Sequence, residues 1–172
     1  MARKQLRVVI AGGGTGGHLF PVLAIADALD RRFPGVAVHL VGSKFGLESS
    51  ILQNRGNSFT LVGIRGFARG LTLRGVARNI GFPFRFLLGY LKMRFLISDF
   101  EPHVVVGTGG YASGLPLLAA IHKDIPTLVH EQNSYPGFTT RWLSSRVHVV
   151  CLSYAESGQY LKKKSSSLRG IP

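Results

Sequence analysis

Acidic residues are scarce in this 172-residue chain: eight Asp and Glu stand against 21 Lys and Arg, leaving a net charge of +13. An imbalance of that size implies a polyanionic partner, whether nucleic acid, anionic lipid or a phosphate-bearing substrate. Cysteine is nearly absent, and the lone Cys151 excludes an internal disulfide framework and fits a reducing compartment. Long apolar runs are missing too. No stretch reaches the roughly 18 uninterrupted apolar residues of a membrane-spanning helix, and the run from Val8 to Ala11 ahead of the first glycines is too short for the core of a secretory signal. No repeat recurs at a solenoid period. What remains, 45% hydrophobic and 17% charged, is a globular composition with length for one domain and a sizeable core.

Two further absences concern the stretch AGGGTGGHLFP, Ala11 to Pro21. Gly12, Gly14 and Gly17 satisfy the Gly-x-Gly-x-x-Gly spacing of a dinucleotide-binding loop. The acidic residue that would hold the ribose about 20 positions on is lacking; Val41 is followed by Gly42-Ser43-Lys44. Nor does Lys-Ser/Thr follow the last glycine, as a triphosphate-binding loop requires; His18 stands there. A dinucleotide-binding oxidoreductase domain is therefore the alternative reading. The physical content survives both exclusions: glycines let the backbone approach a ligand closely, and a helix N-terminus presents free N–H groups to an anion.

Strand-like apolar segments recur at 6–10, 36–41, 59–62, 104–107, 127–130 and 146–151, with helical segments at 21–32, 47–54, 84–99, 113–122, 138–144 and 155–163. The alternation predicts an α/β fold, a Rossmann-like parallel sheet with helices on both faces. Residues 65–81 carry four glycines among arginines and read as a loop with a helical turn; 162–172 is basic and polar and reads as the entrance to a linker. A second glycine loop, Gly107-Thr108-Gly109-Gly110-Tyr111-Ala112-Ser113-Gly114, again follows a strand and precedes an apolar helix. Ligands of open parallel sheets bind outside the carboxyl ends of the strands, so two such loops would wall a cleft suited to a diphosphate. A third loop, His130-Glu131-Gln132-Asn133, leaves the next strand, and four hydrogen-bonding side chains in a row are costly to bury without a purpose; the alternative is a surface turn with His130 and Gln132 satisfied by backbone, the reading preferred for His130 alone.

Together, GGGTGGHLFP, GTGGYASG and HEQN, in this order and spacing, resemble the MurG family, the N-acetylglucosaminyltransferases of bacterial peptidoglycan synthesis. The resemblance runs from residue 6 to 172. It implies the GT-B architecture of two Rossmann-like domains, with residues 1–165 the N-terminal acceptor-binding domain, 166–172 the start of the interdomain linker, and the C-terminal donor-binding domain absent from this chain. It implies inverting transfer of GlcNAc from UDP-GlcNAc to the 4-hydroxyl of the muramoyl sugar of lipid I, giving lipid II. Single displacement needs one general base, a stabilised leaving diphosphate and no covalent nucleophile; no cofactor and no metal-ligating residue are assigned, and a divalent-metal requirement stays open. At a helix N-terminus, where the dipole disfavours imidazolium, His18 is the expected base, with Glu131 its competitor. The resemblance assigns Thr15, Gly16, Gly17 and Asn133 to UDP-GlcNAc, and Gly13, Gly14, Gly109, Gly110, Tyr111, Ser113 and Arg141 to the acceptor and its diphosphate. Its partners would be UDP-GlcNAc, lipid I, the anionic inner-membrane surface and other cell-wall synthesis proteins, with no nucleic acid, and its place the cytoplasmic face of the inner membrane, peripherally bound.

The segment NIGFPFRFLLGYLKMRF, Asn79 to Phe95, agrees with a lipid partner. Phe84, Leu88, Leu91 and Phe95 fall at helical spacing and are expected to face the sheet. Phe82 and Phe86 would then turn outward beside a basic stripe of Arg74, Arg78, Arg85 and Lys92. An apolar surface rimmed by cations suits anionic lipid. The aromatics cluster with leucines rather than along a polar groove, which argues against nucleic acid.

Overall fold

A computed structural model describes residues 5–45, 48–53, 55–64, 80–162 and 168–170. Among these residues seven strands form one all-parallel sheet: β1 (Arg7–Ala11), β2 (Ala37–Ser43), β3 (Ser58–Val62), β4 (Val104–Gly107), β5 (Thr127–Glu131), β6 (Val149–Leu152) and β7 (Leu168–Gly170), in the order β3-β2-β1-β4-β5-β6-β7. The helices are α1 (Gly16–Arg32), α2 (Glu48–Gln53), α3 (Phe82–Phe100), α4 (Gly110–Ile121) and α5 (Phe138–Leu143), followed by a 3-10 turn at Ala155–Tyr160. β1 pairs with β2 on one side and with β4 on the other, Ile10 lying opposite Leu40 and Val106. The strand order therefore reverses between β1 and β4, where open α/β sheets place their ligands.

The continuous apolar strands make sense in this arrangement. Val8 and Ile10 point into one core with Leu19, Val22 and Ala26 of α1; Val9 and Ala11 point into the other with Met93 and Ile97 of α3 and most of α4. A strand buried on both faces has no polar side to display. From Ala112 to Ala120 every residue of α4 is buried, as its unbroken apolar sequence requires.

The structure departs from the sequence reading in three places. α1 begins at Gly16, a turn before the expected Pro21; a proline inside the second turn forfeits only the bond to the carbonyl four residues back. Leu168–Gly170, read from the sequence as part of a linker entrance, pairs with β6 as a seventh strand. The third concerns α3, which is apolar on two nearly opposite faces. Phe82, Phe86 and Tyr90 are half-buried and pack with buried Met93 and Ile97 against the core. Phe84, Leu87, Leu88, Leu91 and Phe95 form the opposite, exposed stripe. The expected orientation of this helix is thus reversed, and Phe82 and Phe86 are packing residues rather than membrane contacts. Both stripes obey helical spacing, and the one with the two residues that reach deepest, Met93 and Ile97, faces inward.

Candidate active site

The first two glycine loops leave the carboxyl ends of adjacent strands, β1 and β4, and enclose a cleft of about 370 Å³. Gly13, Gly14, Thr15 and His18 line it from the first loop, Gly110 and Tyr111 from the second, and Ser43, Phe45 and Ile64 from the ends of β2 and β3. Helices α1 and α4 both start at this cleft. Within α1 the first intrahelical bonds run from His18 N–H and Leu19 N–H to the Thr15 carbonyl. The preceding amides, Gly16 and Gly17, have no acceptor within the helix, as the opening residues of any helix do not.

The two loops hold each other through His18 and Thr108. The Thr108 hydroxyl donates to the His18 carbonyl at 2.6 Å, and His18 Nδ1 lies 3.0 Å from the Thr108 carbonyl. A carbonyl can only accept, so Nδ1 carries the hydrogen and Nε2 is left with its lone pair. Thr108 is fully buried and was not singled out in the sequence; as a small hydroxyl after a strand it gave no signal beyond its place among glycines. The neighbouring glycines are steric requirements. Gly109 has φ +96°, and a Cβ there would stand 2.7 Å from His18 Nδ1; Gly110 has φ +73°, and its Cβ would stand 2.1 Å from the Gly13 carbonyl oxygen.

The third loop is organised by Glu131, which is 1% exposed. One carboxylate oxygen accepts from the Asn133 backbone (3.1 Å) and side-chain (2.9 Å) nitrogens, the other from the Gly137 N–H (3.1 Å). Both oxygens are committed within the loop, an arrangement that suits a brace better than a proton acceptor. Gln132 does not turn to backbone. Its amide lies 2.6 Å from His18 Nδ1, across 114 residues of chain. His130 also departs from expectation: Nδ1 is buried without a partner and Nε2 is 3.4 Å from the Ser153 hydroxyl. Burial lowers the His130 pKa, partly opposed by the adjacent Glu131 charge.

Three further expected site residues do not line the cleft. Ser113 is fully buried, with its hydroxyl donated to the Gly110 carbonyl at 3.0 Å, so it shapes the first turn of α4 rather than meeting an acceptor. Arg141 donates to the Tyr135 hydroxyl at 2.9 Å and lies 5.0 Å from that ring's centroid, a stacked pair rather than a free phosphate-binding cation. The Asn133 side chain is engaged by Glu131. Gly16, Gly17 and Gly109 do not line the cleft either, although each is a sequence neighbour of a residue that does. Of the basic stripe, Arg85 and Lys92 meet Lys44 around a second cleft of about 230 Å³, whereas Arg74 and Arg78 lie outside the described residues.

Residues 8–151 match the glycosyltransferase family 28 N-terminal domain. Over 170 residues the chain is 38% identical to the UDP-N-acetylglucosamine–N-acetylmuramyl-(pentapeptide) pyrophosphoryl-undecaprenol N-acetylglucosamine transferase of Christiangramia forsetii, covering 99% of this chain and 45% of that protein. It is 41% identical over 167 residues to the protein of the same name from Lactiplantibacillus plantarum, covering 97% of this chain and 45% of that protein. Among solved structures, Acinetobacter baumannii MurG superposes with a TM-score of 0.76 at 29% identity, over 96% of this chain and 44% of that one. The chain thus spans less than half the length of these relatives.

Proposed function

This chain belongs to glycosyltransferase family 28, and from that premise we propose that it supplies the acceptor-binding half of an inverting N-acetylglucosaminyltransferase. The reaction moves GlcNAc from UDP-GlcNAc to the 4-hydroxyl of the muramoyl sugar of lipid I, an undecaprenyl-diphosphate-linked acceptor, giving lipid II. The observation that carries this reading is His18: an imidazole at the mouth of α1, in the wall of a glycine-lined cleft, with Nδ1 engaged and Nε2 available. In the reaction, Nε2 takes the proton of the acceptor hydroxyl as its oxygen attacks the anomeric carbon from the face opposite UDP. The glycosidic bond forms, the bond to the diphosphate breaks, and UDP leaves with the electron pair. Backbone N–H groups at the openings of α1 and α4 stabilise phosphate charge without a side chain. Glu131 serves by bracing the loop that carries Gln132.

The nature of the acceptor accounts for α3. Its outward stripe of Phe84, Leu87, Leu88, Leu91 and Phe95 adjoins the cations Arg85, Lys92 and Arg94, a surface suited to the anionic cytoplasmic leaflet where a lipid-linked substrate would be met. Among the described residues no helix is long and apolar enough to cross a membrane, so attachment through this stripe would be peripheral. Calorimetric titration of this chain with a short-chain lipid I tests the assignment of halves. Saturable binding of the acceptor is expected, with UDP-GlcNAc alone giving no comparable signal. Tight UDP-GlcNAc binding without acceptor binding would reverse the assignment.

A further inference from the structure

We propose that Gln132 is a positioning residue for His18: its side-chain oxygen accepts the imidazole Nδ1–H and, with the Thr108 carbonyl, holds the ring in the tautomer whose basic nitrogen is Nε2. The proposal rests on the reading of His18 as the base and adds to it the third loop.

The geometry leaves little freedom. His18 Nδ1 has two polar neighbours, the Thr108 carbonyl oxygen at 3.0 Å and the Gln132 amide at 2.6 Å. If Nδ1 were bare, its lone pair would face that of a carbonyl at hydrogen-bond distance. The contact attracts only when Nδ1 carries a hydrogen, and an N–H can receive nothing from the NH2 of an amide. Gln132 must then present its oxygen. With the nitrogen toward His18, the amide would set hydrogen against hydrogen and leave its oxygen, a buried atom, without a donor. Turning the amide end for end removes both faults.

The local sequence explains why this glutamine can be held so firmly. At the end of β5, successive side chains point to opposite sides. Glu131 turns inward and gathers three N–H groups of its own loop, while Gln132 turns to His18. The carboxylate fixes the backbone from which the amide reaches. A carboxylate in the Gln132 position would also accept from Nδ1–H, but its negative charge would favour imidazolium and occupy the very lone pair that a base needs. The neutral amide orients the ring without adding that charge.

The test is imidazole NMR on the 15N-labelled chain, with the His18 signals assigned by their loss in His18→Gln. In the unprotonated parent, His18 should show a protonated Nδ1 and a bare Nε2. Gln132→Leu leaves Nδ1–H only the longer contact to the Thr108 carbonyl, and should let a measurable minority of the other tautomer appear. Gln132→Glu should keep the Nδ1–H signature and raise the His18 titration midpoint by about one pH unit or more. A bare Nδ1 in the parent overturns the proposal, as does an unshifted midpoint in Gln132→Glu or an unchanged tautomer in Gln132→Leu. Gln132→Glu carries the test if the leucine variant fails to fold. None of these readings needs donor or acceptor. A full-length enzyme that failed to transfer GlcNAc would sink the functional reading and leave the tautomer result standing.

Discussion

Replacing Phe84 and Phe95 with serine should remove the salt-resistant part of this chain's binding to anionic vesicles while leaving it folded. The two rings are 67% and 75% exposed on the outward stripe of α3. Complete burial of a large apolar side chain is worth about 1.5–3 kcal/mol, and the part still exposed here scales that to about 1–2 kcal/mol per ring. The pair would contribute about 2–4 kcal/mol if both inserted, or roughly 30- to 1,000-fold in partitioning. Lys92 and Arg94 add about 1 kcal/mol each near an anionic surface, a contribution that added salt removes. Sedimentation with phosphatidylglycerol-containing vesicles should therefore show a salt-sensitive part and a salt-resistant remainder. Phe84→Ser/Phe95→Ser should abolish the remainder with little change in melting temperature, since the substituted side chains are mostly in water. Phe82→Ser/Phe86→Ser should do the reverse, destabilising the fold by opening the core contact of α3. If the first double variant kept its salt-resistant binding, or unfolded, the outward stripe would not be the membrane surface.

In a full-length enzyme, His18→Ala should lower kcat by about 10²–10⁴-fold, as loss of a positioned general base does, with a smaller effect on KM; steady-state transfer assays check this, and the same loss in Glu131→Gln but not in His18→Ala would move the base to the carboxylate. Gly110→Ala should cost about 1–3 kcal/mol, because the new methyl would meet the Gly13 carbonyl and the backbone φ is +73°. Calorimetry should register this as a drop of several degrees, and an unchanged melting temperature would mean that the two loops do not touch. Acid should weaken the fold through His39 and His130, whose pKa values are both lowered by burial. The stability these groups contribute is whole above the unfolded value of about 6.5. It declines as pH falls below that value, because the unfolded chain then takes up protons that the folded chain resists. Urea midpoints measured at descending pH test this, and a flat profile in which His39→Asn makes no difference would refute it.

The sheet was legible in the sequence because its strands are buried on both faces and carry no competing pattern. β4 is Val104–Gly107 in both readings, and the other five expected strands differ only at their ends. β7 was not, since three residues, Leu168–Gly170, after a polar basic run carry no periodicity. The start of α1 was obscured by Gly16 and Gly17, poor helix formers that here occupy the first turn. On α3 the spacing was right and the facing wrong: a helix with two apolar stripes gives no internal sign of which one meets the sheet. The glycine loops and His18 were legible as a cleft, since strand–glycines–helix is a local pattern. The Gln132 and Thr108 contacts to His18 were not, because they join residues 114 and 90 positions apart that only the order of β1, β4 and β5 brings together.

The convergence of α1 and α4 on one cleft divides the work of the site by its response to acidity. The partial positive charge at the opening of each helix comes from aligned peptide dipoles, and a peptide N–H neither gains nor loses a proton in any ordinary buffer. The attraction that these dipoles exert on a phosphate group is accordingly independent of pH. Under the proposed function, binding of a diphosphate and removal of a proton would be carried by separate parts of the same wall. The share of diphosphate binding that these dipoles supply should therefore persist from acid to alkaline buffer.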